Sequence, residues 1–154
     1  MDDTLIYCSE TGAWFYRLNG RFLRLQRNGI DFLLFFTDKG RVFRIKAYEV
    51  PAAGLNAKGI AIANLLQLHP DEEITSIINL KADAKDGFLF MCTTRGVVKK
   101  SAVEAYKNVR QSGLIAINLD DGDQLKWVRF TSGDNEVIIS TQQGQSIRFQ
   151  ESGA

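Results

Sequence analysis

Histidine and cysteine are scarce in this chain: one His69 and two cysteines among 154 residues. A lone histidine, set in a polar loop before Pro70, leaves no His-based dyad for catalysis and no His cluster for a metal. Cys8 and Cys92 each stand directly before the hydroxyl residue of a repeated phrase, where Phe36 and Ser140 occupy the other copies. That equivalence reads as a buried strand position in a reducing compartment, with a disulfide or metal pair as the competing reading. Long apolar runs are missing too; none approaches the ~20 residues that span a bilayer. Met-Asp-Asp at the start does not read as a signal peptide. Helix signals are thin, and only Ser101–Lys107 is expected to make a turn or two. There is no Walker-type lysine loop and no G-x-G-x-x-G. Nothing here points to catalysis, and no cofactor or metal is implied.

What the chain has is repetition. Ser9-Glu-Thr-Gly12, Thr37-Asp-Lys-Gly40, Thr93-Thr-Arg-Gly96 and Thr141-Gln-Gln-Gly144 each place glycine three residues after a hydroxyl. Each follows an apolar run, such as Phe32-Leu-Leu-Phe-Phe36, Phe88-Leu-Phe-Met-Cys92 or Val137-Ile-Ile139. A second phrase, Gly59-Ile-Ala-Ile-Ala-Asn64-Leu65, is echoed by Gly113-Leu-Ile-Ala-Ile-Asn118-Leu119. The first phrase steps by 56 residues from Gly40 to Gly96 and the second by 54 from Gly59 to Gly113. Two phrases with nearly one period indicate a repeat array. Apolar runs this short, bounded by turn residues, suit strands covered on both faces. Glycine in the turn supplies the φ > 0 position of a tight hairpin. Four strands per unit predict an all-β, propeller-like array of four-stranded blades. Residues 31–80 and 81–130 read as complete blades, and 1–30 and 131–154 as partial ones, together one domain. Without closure or capped ends, the array is expected to be part of something larger.

Net charge is +1 overall, but its distribution is uneven: +3 over residues 81–130 and −2 over 131–154. Basic residues gather after two turns, at Lys39, Arg41, Arg44 and Lys46 and again at Arg95, Lys99, Lys100, Lys107 and Arg110. Four residues past each repeat glycine stand Arg44, Lys100 and Arg148, with Tyr16 and then Arg17 in the first copy. One register of basic residues along a blade rim would meet successive phosphates of a nucleic acid; solubilising a hairpin edge is the plainer role. Lys58 and Arg110 precede the two G-x-x-x-x-N-L phrases, where free backbone N–H groups suit close phosphate approach. Asn64 and Asn118 read as turn caps. Tyr48 and Tyr106 lie beside basic positions, with core or interface packing favoured over stacking on a base. Asp120-Asp-Gly-Asp123 lacks the spacing and final glutamate of a calcium loop and reads as a solvated turn.

These residues carry a family likeness. Phe32 through Pro51, with Ala57-Lys-Gly59 and Asn64-Leu-Leu66, resembles a blade of the C-terminal domain of the DNA gyrase and topoisomerase IV A subunits. Thr93-Thr-Arg-Gly-Val-Val-Lys-Lys100, Val109 through Leu119 and Asp121-Gly-Asp-Gln-Leu125 resemble the blade that follows. The likeness covers about residues 31–150 and implies a β-pinwheel whose basic rim wraps duplex DNA, biasing strand passage toward negative supercoils. It implies partners in the remaining A-subunit domains and the B subunit of an ATP-dependent type II topoisomerase, and a bacterial, cytoplasmic, nucleoid-associated setting away from membranes. The catalytic tyrosine of such enzymes lies in a domain this chain does not contain. By resemblance and register, the expected DNA contacts are Arg41, Arg44, Lys46, Lys58, Arg95, Lys99, Lys100, Lys107, Arg110 and Arg148. The family's Q-R-R-G-G-K/R-G stretch is absent, Leu25-Gln-Arg-Asn-Gly29 being at most an echo. The family requires that stretch for full wrapping and supercoiling, so the resemblance implies DNA binding and wrapping and leaves open whether supercoiling is supported. The competing class is a protein-interaction module using Trp14, Phe15, Tyr16 and Trp127, or a fragment with a structural role only.

Overall fold

A computed structural model describes residues 4–8, 13–18, 21–25, 32–46, 49, 52–53, 60–81 and 83–154. Fourteen strands run through them: β1 (Thr4–Cys8), β2 (Ala13–Leu18), β3 (Arg21–Leu25), β4 (Phe32–Thr37), β5 (Arg41–Lys46), β6 (Ala52–Ala53) and β7 (Ile60–Ala61), followed by β8 (Ile74–Leu80), β9 (Phe88–Thr93), β10 (Val98–Ala102), β11 (Leu114–Ile115), β12 (Leu125–Thr131), β13 (Glu136–Ser140) and β14 (Ser146–Gln150). Only single 3₁₀ turns interrupt them, one at Val103–Tyr106 within the segment expected to coil.

The first sheet has the order β3-β2-β1, with β6 and β7 also pairing with β1. The second is β11-β5-β4-β8, the third β10-β9-β12, and the fourth the hairpin β13-β14. Four strands complete the second sheet, but they do not come from one stretch of chain. β11 follows β9 and β10 in sequence yet pairs with β5, through Leu114↔Val42 and Ile115↔Arg41. β7 likewise follows β5 but pairs with β1. Each G-x-x-x-x-N-L phrase therefore sends a short strand back to the preceding sheet, so the repeat in sequence is offset from the blade in space.

The apolar runs explain why the sheets stack. Alternate residues of a strand face opposite sides, and β4 is buried on both. Leu34 and Phe36, with Val42 of β5, join Leu89, Met91, Val103, Tyr106, Ala116, Ile117, Leu125 and Val128 in a core between the second and third sheets. Leu33 and Phe35 face the other way, into a cluster with Phe43, Ile45, Ile62, Leu66 and Ile74. The run is continuous because both neighbours of each residue are buried. Tyr106 belongs to this core, its ring meeting Phe36 edge-on at 5.9 Å; Tyr48 lies outside the described residues. Cys92 is a free, buried thiol, pushed above its ordinary pKa by burial and then by the nearby Asp123; the side chain of Cys8 is outside the described set.

The T-x-x-G phrase is a four-residue hairpin turn. In all three described copies the glycine N–H donates to the threonine carbonyl: Gly40 to Thr37 at 3.0 Å, Gly96 to Thr93 at 3.1 Å and Gly144 to Thr141 at 3.0 Å. The threonine hydroxyl then accepts from the next backbone N–H, that of Arg41, Val97 or Gln145, at 3.1–3.2 Å. The glycines sit at φ +75°, +83° and +82°, where a Cβ is strained. The hydroxyl and the glycine are thus two halves of one device.

Candidate nucleic-acid interface

Register places the basic residues before any side-chain geometry does. Arg44 lies opposite Leu34, Lys100 opposite Phe90 and Arg148 opposite Ile138, one position repeated on the return strand of three hairpins. The Arg44 guanidinium rests 4.5 Å over the Phe32 ring, and the Lys100 ammonium 5.1 Å over Phe88. Such a ring attracts a cation through its π face without neutralising it. Lys100 also donates to the backbone carbonyl of Glu151 at 2.7 Å, tying the third sheet to the fourth hairpin. Arg148 is held differently, by two bonds to Glu136 Oε1 at 3.0 and 2.7 Å. Beside Arg44 opens a cleft of roughly 440 Å³ lined by polar side chains including Asn64, Gln67 and Gln111.

Carboxylates brace the turns that carry these strands. Glu72, two residues before β8, takes the Thr37 hydroxyl at 2.7 Å, Arg41 Nη1 at 2.7 Å and the His69 N–H at 3.0 Å. Asp123, two residues before β12, takes the Thr94 hydroxyl at 2.8 Å and the N–H groups of Arg95 at 3.1 Å and Gln124 at 2.8 Å. Burial pushes the Asp123 carboxyl upward, but the Thr93 and Thr94 hydroxyls and the Gln124 and Arg95 N–H groups outweigh it and hold its pKa at about 2. The expected solvated acidic turn is therefore wrong at Asp123, which is buried; a carboxylate with several donors gains more from them than it loses from water. Asn64 and Asn118 are exposed on their connections, and the 3₁₀ turn at Ile62–Asn64 forms without a side-chain cap bond.

The remaining basic positions divide by partner. Arg41 is enclosed: its side chain, 18% exposed, pairs with fully buried Glu72 and donates through Nη2 to the Ser112 carbonyl at 2.7 Å. Lys99 donates to the Ala116 carbonyl at 2.7 Å, and Lys107 pairs with Glu104 at 2.9 Å. Arg95, Arg110 and Lys46 are exposed, and Lys58 lies outside the described residues. Arg44, Lys100 and Arg148 thus share one register, whereas Arg41 faces the interior of a turn. Sequence reading missed the residues beneath them: Phe32, Phe88 and Glu136 each stand five before the turn threonine. The same alignment that revealed the basic register contains them.

Among the described residues, no group of three or more His, Cys, Asp or Glu is arranged to hold a metal, and no helix is long and apolar enough to cross a membrane. Trp127 is half exposed, at 50%, while the side chains of Trp14, Phe15 and Tyr16 are outside the described set.

The family profile for the DNA gyrase C-terminal domain, a beta-propeller, matches residues 31–81 and 87–132. The DNA gyrase A protein of Clostridium acetobutylicum is 53% identical over 119 residues, which cover 77% of this chain and 14% of that protein. Its Halalkalibacterium halodurans counterpart is 50% identical over the same length and shares. The chain thus spans about a seventh of the relatives it matches (14% of each). Among solved structures, the C-terminal domain of DNA topoisomerase IV superposes with a TM-score of 0.80 at 28% identity, covering 98% of this chain and 51% of that one. The DNA gyrase A C-terminal domain gives 0.64 at 26%, covering 89% and 41%. The stacked sheets with their exchanged strands are an all-β pinwheel array.

Proposed function

The chain belongs to the DNA gyrase C-terminal beta-propeller family, and from that footing we propose that it binds duplex DNA without sequence preference along the rim of its blades. The observation that carries this reading is the shared register of Arg44 and Lys100 on successive hairpins; Arg148 holds the same position on the next hairpin but is already paired with Glu136. Cations spaced along a rim meet the phosphate backbone and position it, and they read no base edges. Exposed Arg95 and Lys99 extend the positive surface of the third sheet and exposed Lys46 that of the second, with exposed Arg110 on the connection that leads into β11; Lys58 joins them by sequence position alone. Arg41 and Lys107 add little, because Glu72 and Glu104 already offset their charges. With the other A-subunit domains and the B subunit, the rim would hold duplex for strand passage by a type II topoisomerase. Bending 20–30 bp around such a rim costs roughly 1–6 kcal/mol, so several contacts must act together.

Mobility-shift titrations test the reading. Affinity is expected to fall with salt by about 0.9 log unit per log unit for each phosphate neutralised. Arg44→Glu with Lys100→Glu should weaken binding far more than Asp71→Lys with Glu73→Lys, which change exposed acids of a neighbouring turn. Salt-independent binding, or equal effects of the two pairs, would overturn the rim and turn attention to the face around Trp127.

A further inference from the structure

The basic register contains one exception. In the second and third sheets the residue five before the turn threonine is aromatic, and its ring lies under Arg44 or Lys100. In the fourth hairpin the same place holds Glu136, whose Oε1 accepts from Arg148 Nε at 3.0 Å, Arg148 Nη2 at 2.7 Å and Gln150 Nε2 at 3.3 Å. We propose that Glu136 stands in for a phosphate within the chain, cancelling Arg148 and setting how far along the rim a DNA backbone is held.

This rests on the reading of the rim as a DNA surface and adds where that surface stops. A carboxylate accepting two guanidinium bonds satisfies the donors a phosphate would use. A phosphate arriving at Arg148 must displace Glu136, leaving a carboxylate beside a polyanion. Exchange of one anion for another releases no net counterion, so Arg148 adds nothing to the salt-dependent part of affinity. The two aromatic platforms differ in kind, since they orient their cations and leave the charge intact. Both members of the Arg148–Glu136 pair are well exposed, at 66% and 47% of their side chains, and an exposed pair of this kind contributes little to folding. Its removal is therefore a change in charge on an intact hairpin.

The test is a salt titration of duplex binding by the full chain and three sets of variants, with thermal melts to verify folding. Glu136→Gln, and Glu136→Phe, which copies the arrangement at Phe32 and Phe88, are expected to bind more tightly. Their log–log salt slope should steepen by about 0.9, so that a fourfold drop in salt widens the gain by about 3.5-fold. Arg148→Ala should leave the native chain's binding nearly unchanged and abolish the gain in the Glu136→Gln background. An unchanged slope in Glu136→Gln, or an Arg148→Ala loss as large as that of Lys100→Ala, would overturn the proposal while leaving the rim in place. Should Arg44→Ala and Lys100→Ala both leave the slope unaltered, the rim itself falls, and this inference with it.

Discussion

Gly40 of the second sheet and Gly96 of the third occupy the same position of the same turn, at φ +75° and +83°. A Cβ on Gly40 would lie 2.4 Å from the Ile117 carbonyl oxygen, whereas on Gly96 it would meet nothing within 4 Å. The Gly40 carbonyl accepts from Ala116 at 2.8 Å and Ile117 at 3.2 Å as β11 settles beside β5. Among the described residues β10 carries no such strand. Side chains follow the difference: Phe43 is buried at 1% exposure, and Lys99 at the matching position is exposed. One turn chemistry thus supports two environments. Local residues fix the turn, and distant ones decide what packs on it.

Substitutions at matched positions would break the comparison if it is wrong. Phe43→Ala is expected to cost about 3–5 kcal/mol, as a buried aromatic leaves a cavity, and Lys99→Ala no more than about 0.5 kcal/mol, both read by urea denaturation. Equal losses would mean that the two sheets are packed alike. Next in size come the glycines. Gly96→Ala should cost about 1–2 kcal/mol, the strain of a left-handed residue, and Gly40→Ala a further ~1–3 kcal/mol from overpacking against Ile117. Denaturation midpoints that shift together would place Gly40 outside the β11 contact. The smallest effect sharpens the third turn alone. The Asp123 carboxyl is held at about 2 against an ordinary 3.8; this depressed value stabilises the fold fully above 3.8, and that contribution is lost as pH falls through about 2. Asp123→Asn should flatten acid unfolding in that window, and an unaltered acid limb would remove Asp123 as the brace.

The sequence made the hairpins legible because their determinants are adjacent: an apolar run, a hydroxyl, and glycine three residues on. Burial of β4 on both faces was legible for the same reason. Where β11 would dock was not, because Leu114 and Val42 meet only through the stacking of two sheets. Arg41 looked like its basic neighbours, yet Glu72 approaches it from beyond β5 and encloses it. Asp123 looked solvated because charge runs usually are, while its donors lie on a turn far back in the chain. Glu136 was within reach of the repeat alignment, since its contrast with Phe32 and Phe88 is a matter of sequence position alone.

The strand that crosses from one unit to the sheet before it also bears on synthesis. Emerging from the ribosome, β4 and β5 can form their hairpin at once, but the β5 edge stays unpaired until the chain through Ile115 has been made. During that interval an open row of backbone donors and acceptors is available to other nascent chains. At β5 the later unit therefore seals the earlier one, and slow translation between Lys46 and Leu114 would lengthen the time in which misassembly can begin.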